Sequence, residues 1–198
     1  MIPRSLTALL LALALLDADG ALGQEGPFAF QVRGGLTQPV LAFGDDETGW
    51  EEESGVGTTL GMGFTFPLYR LIGGFLGFSQ HRFSCDQDVC PEGKMWTSTG
   101  FDAALRVVLG RNRVRPWIQG GFHTHRVEGR IRSQAGPEKV TSLGGGGYEV
   151  GGGVLVQVGE RMSLSPGVRY GLGNVPFENR ATMGLRFLVV DLGLVVGF

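Results

Sequence analysis

The sequence predicts an all-β protein, an eight-stranded antiparallel up-and-down transmembrane β-barrel preceded by a signal peptide. Three observations lead to this fold class. Segments of roughly ten residues alternate between bulky apolar and small or polar side chains, which is the pattern of a strand. Glycine accounts for 35 of the 198 residues, well above its usual share of about 7%. The connections alternate between short and long, as in a meander whose two rims face different surroundings.

Composition and charge exclude several other classes of protein. Charged residues make up 18% of the chain and hydrophobic residues 42%, a balance too apolar for a disordered protein. The formal net charge of -2 lacks the excess of basic residues that is typical of nucleic-acid binding. Beyond the first 20 residues no run of 18 apolar residues occurs, so the body contains no transmembrane helix. A closed β-barrel is the membrane-spanning structure that remains.

The N-terminus has the order of features typical of a secretory signal peptide. Arg4 precedes an unbroken apolar run over residues 8–16, and small residues follow at 18, 20, 21 and 23. This run is too short to span a bilayer. We therefore expect residues 1–23 to be cleaved, with an alternative site after Gly20, and residues 24–198 to form the barrel domain. Export would place the mature chain in an oxidising compartment.

The first four predicted strands lie before residue 110. Residues 28–37 alternate Phe, Val and Leu with polar or small side chains, and residues 57–66 alternate Leu, Met and Phe with Gly and Thr. Residues 70–83 are less regular, because Gly and aromatic residues occur on both faces. Residues 100–109 return to strict alternation, with Asp102 and Arg106 on the face opposite Phe101 and Leu105.

The last four predicted strands follow the same rule. Residues 116–130 again mix Gly and aromatic residues on both faces. Residues 148–158 alternate Tyr and Val with a face that includes Glu149, and residues 163–172 alternate Leu, Val and Tyr with one that includes Arg169. The final strand, about 182–198, places one apolar set on a single face: Leu188, Val190, Leu192, Leu194, Val196 and Phe198.

The connections between these strands differ in length at the two ends of the barrel. The short ones are residues 67–69, 110–115 and 159–162, and the long ones are about 39–54, 84–95, 131–144 and 173–181. In transmembrane barrels the short turns are periplasmic and the long loops extracellular. An even number of strands brings both ends of the barrel domain to the periplasmic rim.

The choice between a membrane barrel and a soluble one depends on which face is apolar. The interior of an eight-stranded barrel is just wide enough for side chains, so bulky residues outside and small ones inside suit a lipid environment. A soluble lipocalin-like barrel could share the connectivity, but it would need the large apolar residues inside. The asymmetry of the two faces favours the membrane barrel.

The signal peptide, the Gly-rich strands and the C-terminal ending together resemble the small OmpA-like outer-membrane β-barrel proteins of diderm bacteria. In that family a terminal Phe preceded by alternating apolar residues is the signal read by the barrel-assembly machinery. The positions that match are Val190, Leu192, Leu194, Val196 and Phe198. The resemblance implies an outer-membrane location, contact with outer-membrane lipids and lipopolysaccharide, and recognition by that machinery.

Two cysteines lie in the second long loop. Cys85 and Cys90 have only one possible pairing, and the compartment is oxidising, so we expect a disulfide that fixes the shape of the loop. The alternative is a metal site with Asp86 and Asp88, which would need further ligands. We expect neither a metal nor a cofactor.

Charged residues recur on the face opposite the lipid set. A confined interior requires charges to be paired, so we expect an ion-pair network that fills the barrel. The alternative is a narrow selective pore lined by the same groups. The residues concerned are Arg33, Asp102, Arg106, Glu149, Arg169 and Asp191.

Two histidines, His123 and His125, share one face of the fifth predicted strand. We interpret them as polar filling of the lumen. The alternative is a metal or catalytic pair, because eight-stranded barrels that deacylate lipid A use a His followed two residues later by a Ser. In this sequence His125 stands where that Ser should be, so the pattern fails at the nucleophile.

Two of the long loops carry charge of opposite sign. The first is acidic, and we expect its charges to be solvated. The alternative is that it holds divalent cations that bridge lipopolysaccharide phosphates. The third contains Arg126, Arg130, Arg132 and Lys139 against Glu128 and Glu138, a basic rim that could contact phosphates directly. The acidic residues are Asp45, Asp46, Glu47, Glu51, Glu52 and Glu53.

The sequence therefore predicts a monomeric outer-membrane barrel with a structural or surface-interaction role, without catalysis and without nucleic-acid binding. A narrow porin-like channel for small solutes is the alternative function, and a lipid A-modifying enzyme is the third.

Overall fold

A computed structural model describes residues 28–40, 54–69, 71–85, 96–110, 112–133, 136–178 and 180–198. In this part of the chain no helix is long and apolar enough to cross a membrane. The described strands are β1 (Ala29–Pro39), β2 (Ser54–Tyr69), β3 (Ile72–Cys85), β4 (Trp96–Val108), β5 (Val114–Ser133), β6 (Gly136–Thr141), β7 (Gly145–Gln157), β8 (Met162–Phe177) and β9 (Arg180–Gly197).

Eight of these strands form a closed antiparallel ring. The ring runs β1-β2-β3-β4-β5-β7-β8-β9, and β9 returns to pair with β1 from Ala29↔Gly197 to Pro39↔Phe187. The predicted eight-stranded up-and-down barrel is therefore confirmed. Closure leaves no strand of the ring with a free edge, which is the condition for a β-structure in lipid.

The strands of the ring are strongly staggered. Stepping from Ala29 through successive paired residues around the barrel leads back to β1 at Pro39, which is ten residues further along (39 − 29 = 10). A staggered barrel of this kind has strands tilted by roughly 35–45° from its axis. Eight such strands enclose a space that side chains can fill, so the interior is a packed layer of the protein.

The outer face of the barrel is apolar. Leu60, Phe101 and Phe122 are exposed by 62%, 69% and 63%, although all three lie in the middle of strands. The two irregular segments follow the same arrangement: β3 directs Leu76 outward and Phe75 inward, and β5 directs Ile118 outward and Trp117 inward. In the sequence these strands have bulky residues on both faces because large aromatic rings also pack in the interior.

Glycines on neighbouring strands make room for those internal rings. A Cβ atom added to Gly77 would lie 2.6 Å from the ring of Phe75, and one added to Gly63 would lie 2.7 Å from it. Gly167 is equally close to Trp117, at 2.7 Å. The high glycine content therefore has a packing reason, because a larger residue here would overfill the narrow interior.

The strands run further than predicted at the end of the barrel that carries the long connections. β4 begins at Trp96 rather than at residue 100, and β8 extends to Phe177, into the predicted loop 173–181. The predicted loop 131–144 contains β6, which forms a hairpin with β5 from Glu128↔Thr141 to Ser133↔Gly136. The predicted boundaries of loops 131–144 and 173–181 were therefore wrong, whereas β4 begins directly after the predicted loop 84–95.

At this end of the barrel, apolar side chains point inward from the ends of the predicted strands as well as from the extensions. The inward residues form one buried apolar group, which we call the upper cluster. Its members are Phe83, Trp96, Val127, Val140, Val175, Phe177, Met183, Leu185, Phe187 and Val189. A smaller lower cluster of Trp117, Leu155 and Val195 lies towards the short turns.

Several predictions concern residues outside the described ranges. They are the signal peptide at residues 1–23, the acidic loop from Asp45 to Glu53, and Cys90 of the expected disulfide. Cys85 is the last residue of β3. The cleavage site and the disulfide remain predictions.

Candidate functional site

The interior between the two clusters holds the charged residues that the sequence singled out. Arg33, Asp102, Arg106, Glu149, Arg169 and Asp191 are all buried, with exposures between 2% and 7%. They come from β1, β4, β7, β8 and β9. Alternation directs all of them inward, and the register of the strands decides which of them meet.

Arg169 is the centre of the larger of two hydrogen-bonded groups. Its Nη1 donates to Glu149 Oε2 at 3.0 Å, and its Nε donates to Asp191 Oδ2 at 3.1 Å. A second donation to Asp191 comes from Nη2. One guanidinium therefore satisfies two carboxylates from the neighbouring strands, which is the geometry that Arg provides and Lys does not.

Two glutamine residues extend this group across the barrel. Gln119 Nε2 donates to Glu149 Oε1 at 2.8 Å, and Gln119 Oε1 accepts a bond of 2.7 Å from Arg106 Nη2. Arg106 Nη1 donates in turn to Gln31 Oε1 at 3.0 Å. The result is a continuous chain of hydrogen bonds from β9 to β1 through the interior.

The second group is centred on Asp102. Its Oδ2 accepts a bond of 2.7 Å from Arg33 Nη2, and its Oδ1 accepts one of 3.1 Å from Ser79 Oγ. With three arginines and three carboxylates, the six residues balance in formal charge. Balanced, hydrogen-bonded pairs are the form in which ionised groups tolerate burial.

The six buried charged residues form a level of the interior that we call the ionic layer, and aromatic rings pack against it. The guanidinium carbon of Arg33 lies 5.2 Å from the ring centre of Phe75, and that of Arg106 lies 4.6 Å from the ring centre of Trp117. Both distances are in the range of cation–π contacts. Gln31, Gln119 and these rings were not among the predicted site residues, although alternation alone places Gln31 on the same face as Arg33.

Three histidines surround Phe187 between the ionic layer and the upper cluster. The ring centres of His81, His123 and His125 lie 4.6, 5.9 and 6.1 Å from that of Phe187. His81 was not part of the predicted site. Among the described residues, no group of three His, Cys, Asp or Glu side chains is arranged to hold a metal ion.

One histidine belongs to an arrangement with the residue types of a hydrolase site. Ser98 Oγ lies 2.8 Å from His125 Nδ1, and His125 Nε2 lies 3.8 Å from Asp102 Oδ1. A potential nucleophile, base and acid are thus linked in that order by their contacts. Ser98, however, is completely buried, and Asp102 is already held by Arg33. The set is a packed part of the interior with no room for a substrate at its Ser.

The proposed assembly signal lies on the outer face of β9. Val190, Leu192 and Phe198 are exposed by 53%, 53% and 57%, and the backbone nitrogen of Phe198 donates to Phe28 O at 3.1 Å. Leu194 is also exposed, and Val196 is half-buried on the same face. Recognition of this segment by an assembly machinery remains a prediction.

A closed, staggered ring with an apolar exterior and buried ion pairs in its interior defines the class of small outer-membrane barrels. The chain belongs to the family of the outer membrane protein beta-barrel domain, whose model matches residues 5–198. The family-level resemblance seen in the sequence is confirmed.

Solved structures show the same fold. Neisserial surface protein A (NspA) is 15% identical, with a TM-score of 0.64, 91% of this chain covered and 100% of the other. OprG from Pseudomonas aeruginosa is 14% identical, with a TM-score of 0.57 and coverages of 88% and 99%. The N-terminal β-barrel domain of OprF from the same organism is 12% identical, with a TM-score of 0.51 and coverages of 87% and 98%.

At these identities the solved structures establish the fold alone. No curated protein has a significantly similar sequence. The family and the structural neighbours are outer-membrane proteins, so this chain is assigned to the outer-membrane barrels, and its individual role rests on its own residues.

Proposed function

We propose that this protein is a non-conducting outer-membrane barrel with a structural or surface-interaction role, which acts through its outer wall and its loops. The observation that carries the proposal is that buried side chains occupy the described part of the interior in three successive layers. The lower cluster, the ionic layer and the upper cluster follow one another along the barrel axis. Fold alone would not support this, because outer-membrane barrels serve many purposes.

The ionic layer argues against a narrow channel. A solute passing this level would have to separate Arg169 from Glu149 and Asp191, or Arg33 from Asp102. Removing one partner of a buried ion pair costs roughly 3–5 kcal/mol. Above this layer the path would also cross Phe187, Val189 and Phe83, none of which is more than 1% exposed.

Burial also argues against the lipid A-modifying enzyme. The hydroxyl with an adjacent imidazole, that of Ser98, faces the interior and not the lipid. An acyl chain could reach it only by crossing the wall of the barrel. We therefore retain the non-catalytic role and require no cofactor for it.

The rest of the proposal concerns the cell. A signal peptide over residues 1–23 would direct export, and the C-terminal residues up to Phe198 would be read by the barrel-assembly machinery. The mature protein would then lie as a monomer in the outer membrane of a diderm bacterium, with outer-membrane lipids and lipopolysaccharide as its partners. The apolar outer face supports the membrane part of this proposal.

Single-channel recording in planar bilayers tests the closed lumen. Folded protein should insert without producing discrete conductance steps. Arg106→Gln, in the ionic layer, and Arg186→Gln, on the outer face of β9, form a matched pair of variants. Steps from the wild-type protein that change in size with Arg106→Gln and not with Arg186→Gln would overturn the proposal in favour of a channel.

A further inference from the structure

A two-part groove runs along the outer wall over β2 to β5 and reaches the edge of β7. Its lower part has a volume of about 510 Å³ and is lined mainly by apolar side chains, including Met62, Leu76 and Phe122. Its upper part, of about 830 Å³, adds polar side chains to the apolar ones, including Thr97, Thr99 and Arg126. Both parts share Phe78, Phe101 and Thr124, so they form one continuous depression.

The groove results from the sizes of neighbouring side chains. Ala103 on β4 pairs with Leu76 on one side and Phe122 on the other, so a small residue lies between two bulky ones. Nearer the long loops, Thr124 pairs with Gly146, which has no side chain. A wall that is bulky elsewhere is therefore indented along this line.

The chemistry of the wall changes abruptly along the groove. The row Phe78–Phe101 is aromatic, with ring centres 5.6 Å apart, and the following row on β3 and β4 is Gln80–Thr99. Aromatic residues concentrate at the interface of a membrane, where hydrocarbon gives way to headgroups. The lower part of the groove therefore lies at the depth of acyl chains and the upper part at the depth of headgroups.

Positive charge borders the upper part, because Arg126 lines it and Arg82 lies beside it on β3. Arg126 pairs with Thr99, and Arg82 pairs with Thr97 on the other side of the same strand. Both arginine side chains are exposed. The carboxylate in the groove, Glu128, has Lys139 Nζ at 3.3 Å from its Oε2, so its charge is compensated. Two guanidinium groups remain, flanking a row of threonine hydroxyls.

We infer that this groove binds a phosphorylated glycolipid with several acyl chains, of the lipid A class. The acyl chains would lie over Ala103, and Arg126 and Arg82 would donate to the phosphates. A width of several strands, at about 4.8 Å per strand, accommodates more than one chain. The inference rests on the proposed function, because it locates the surface interaction on the outer wall.

Native mass spectrometry of the folded protein in detergent, with purified bis-phosphorylated lipid A as the probe, tests the inference. Ala103→Phe should fill the lower groove and weaken lipid binding about tenfold, since acyl chains lose their apolar contact. The double variant Arg82→Gln, Arg126→Gln should weaken binding of the phosphorylated lipid about tenfold and leave dephosphorylated lipid A unchanged.

Matched controls lie on β9, away from the groove. Val190→Phe adds the same ring to the outer face, and Arg186→Gln removes an exposed guanidinium; both should bind lipid A as the wild type does. Equal losses in groove and control variants, or equal wild-type affinity for phosphorylated and dephosphorylated lipid, would overturn the inference. Heat-modifiable gel migration confirms folding of each variant. A conducting lumen would refute the proposed function without altering these binding results.

Discussion

Arg169 shows how far single residues could be interpreted before the structure was known. Alternation placed it in the interior with five other charged residues, but it gave none of their partners. Those depend on register: Gln119 meets Glu149 because β5 pairs with β7 and not with β6 at this level. The polar links through Gln31 and Gln119 were for this reason absent from the prediction, although both residues lie on inward positions.

Replacing Arg169 by Met should destabilise the barrel by roughly 3–5 kcal/mol, because Glu149 and Asp191 would be left as unpaired carboxylates in a closed interior. Urea unfolding in detergent micelles measures the change in the free energy of unfolding. Arg186→Met is the control on the outer face and should stay within about 0.5 kcal/mol of wild type. Similar losses in both variants would mean that Arg169 contributes only packing.

The strands show which parts of the fold alternation predicts and which parts it does not. Within the lipid-facing band the bulky outward residues defined six of the eight strands, and residues 70–83 and 116–130 were recognised as strands without a clear outer face. Beyond that band more polar residues lie on the outer face, and apolar residues also point inside, as at Val175, Phe177, Met183 and Leu185. Because the prediction relied on an apolar outer face, it made the strands too short at the long-loop end and missed the β5–β6 hairpin.

The boundary of the lipid-facing band leads to a prediction about depth. Leu105→Arg, in the apolar band, should lower the free energy of unfolding by roughly 2–4 kcal/mol. Val56→Arg is the matched change, because Val56 is also outward and 53% exposed but lies near the long-loop end of β2. There the cost should be about 0–1 kcal/mol. Folding titrations in lipid vesicles measure the free energy of unfolding of both variants. An unchanged value for Leu105→Arg would contradict a lipid-facing β4.

The barrel as a whole is joined at one seam, between the first and last strands. Phe198 follows directly on β9, with its ring exposed and its backbone nitrogen bonded to Phe28. The interior clusters and ion pairs do not involve this residue. Its removal should therefore affect the recognition of the chain in the cell much more than the finished barrel.

Deleting Phe198 should reduce the amount assembled in the outer membrane far more than it lowers the stability of protein refolded in detergent. Surface labelling of the loops measures assembly, and urea unfolding measures stability. Val168→Ala, which trims the outer face of β8 and leaves the proposed signal intact, is the control. Normal assembly of the truncated chain would remove the support for a C-terminal assembly signal.

The seam also sets the order of events in folding. Ala29 and Gly197 are partners although 168 residues separate them in the chain (197 − 29 = 168). Pairings between such distant segments form slowly, because the ends of a long loop must first be brought together. The ring cannot close before its last strand has been synthesised. The nascent polypeptide therefore remains exposed to aggregation through its unpaired strands until β9 is available to close the ring.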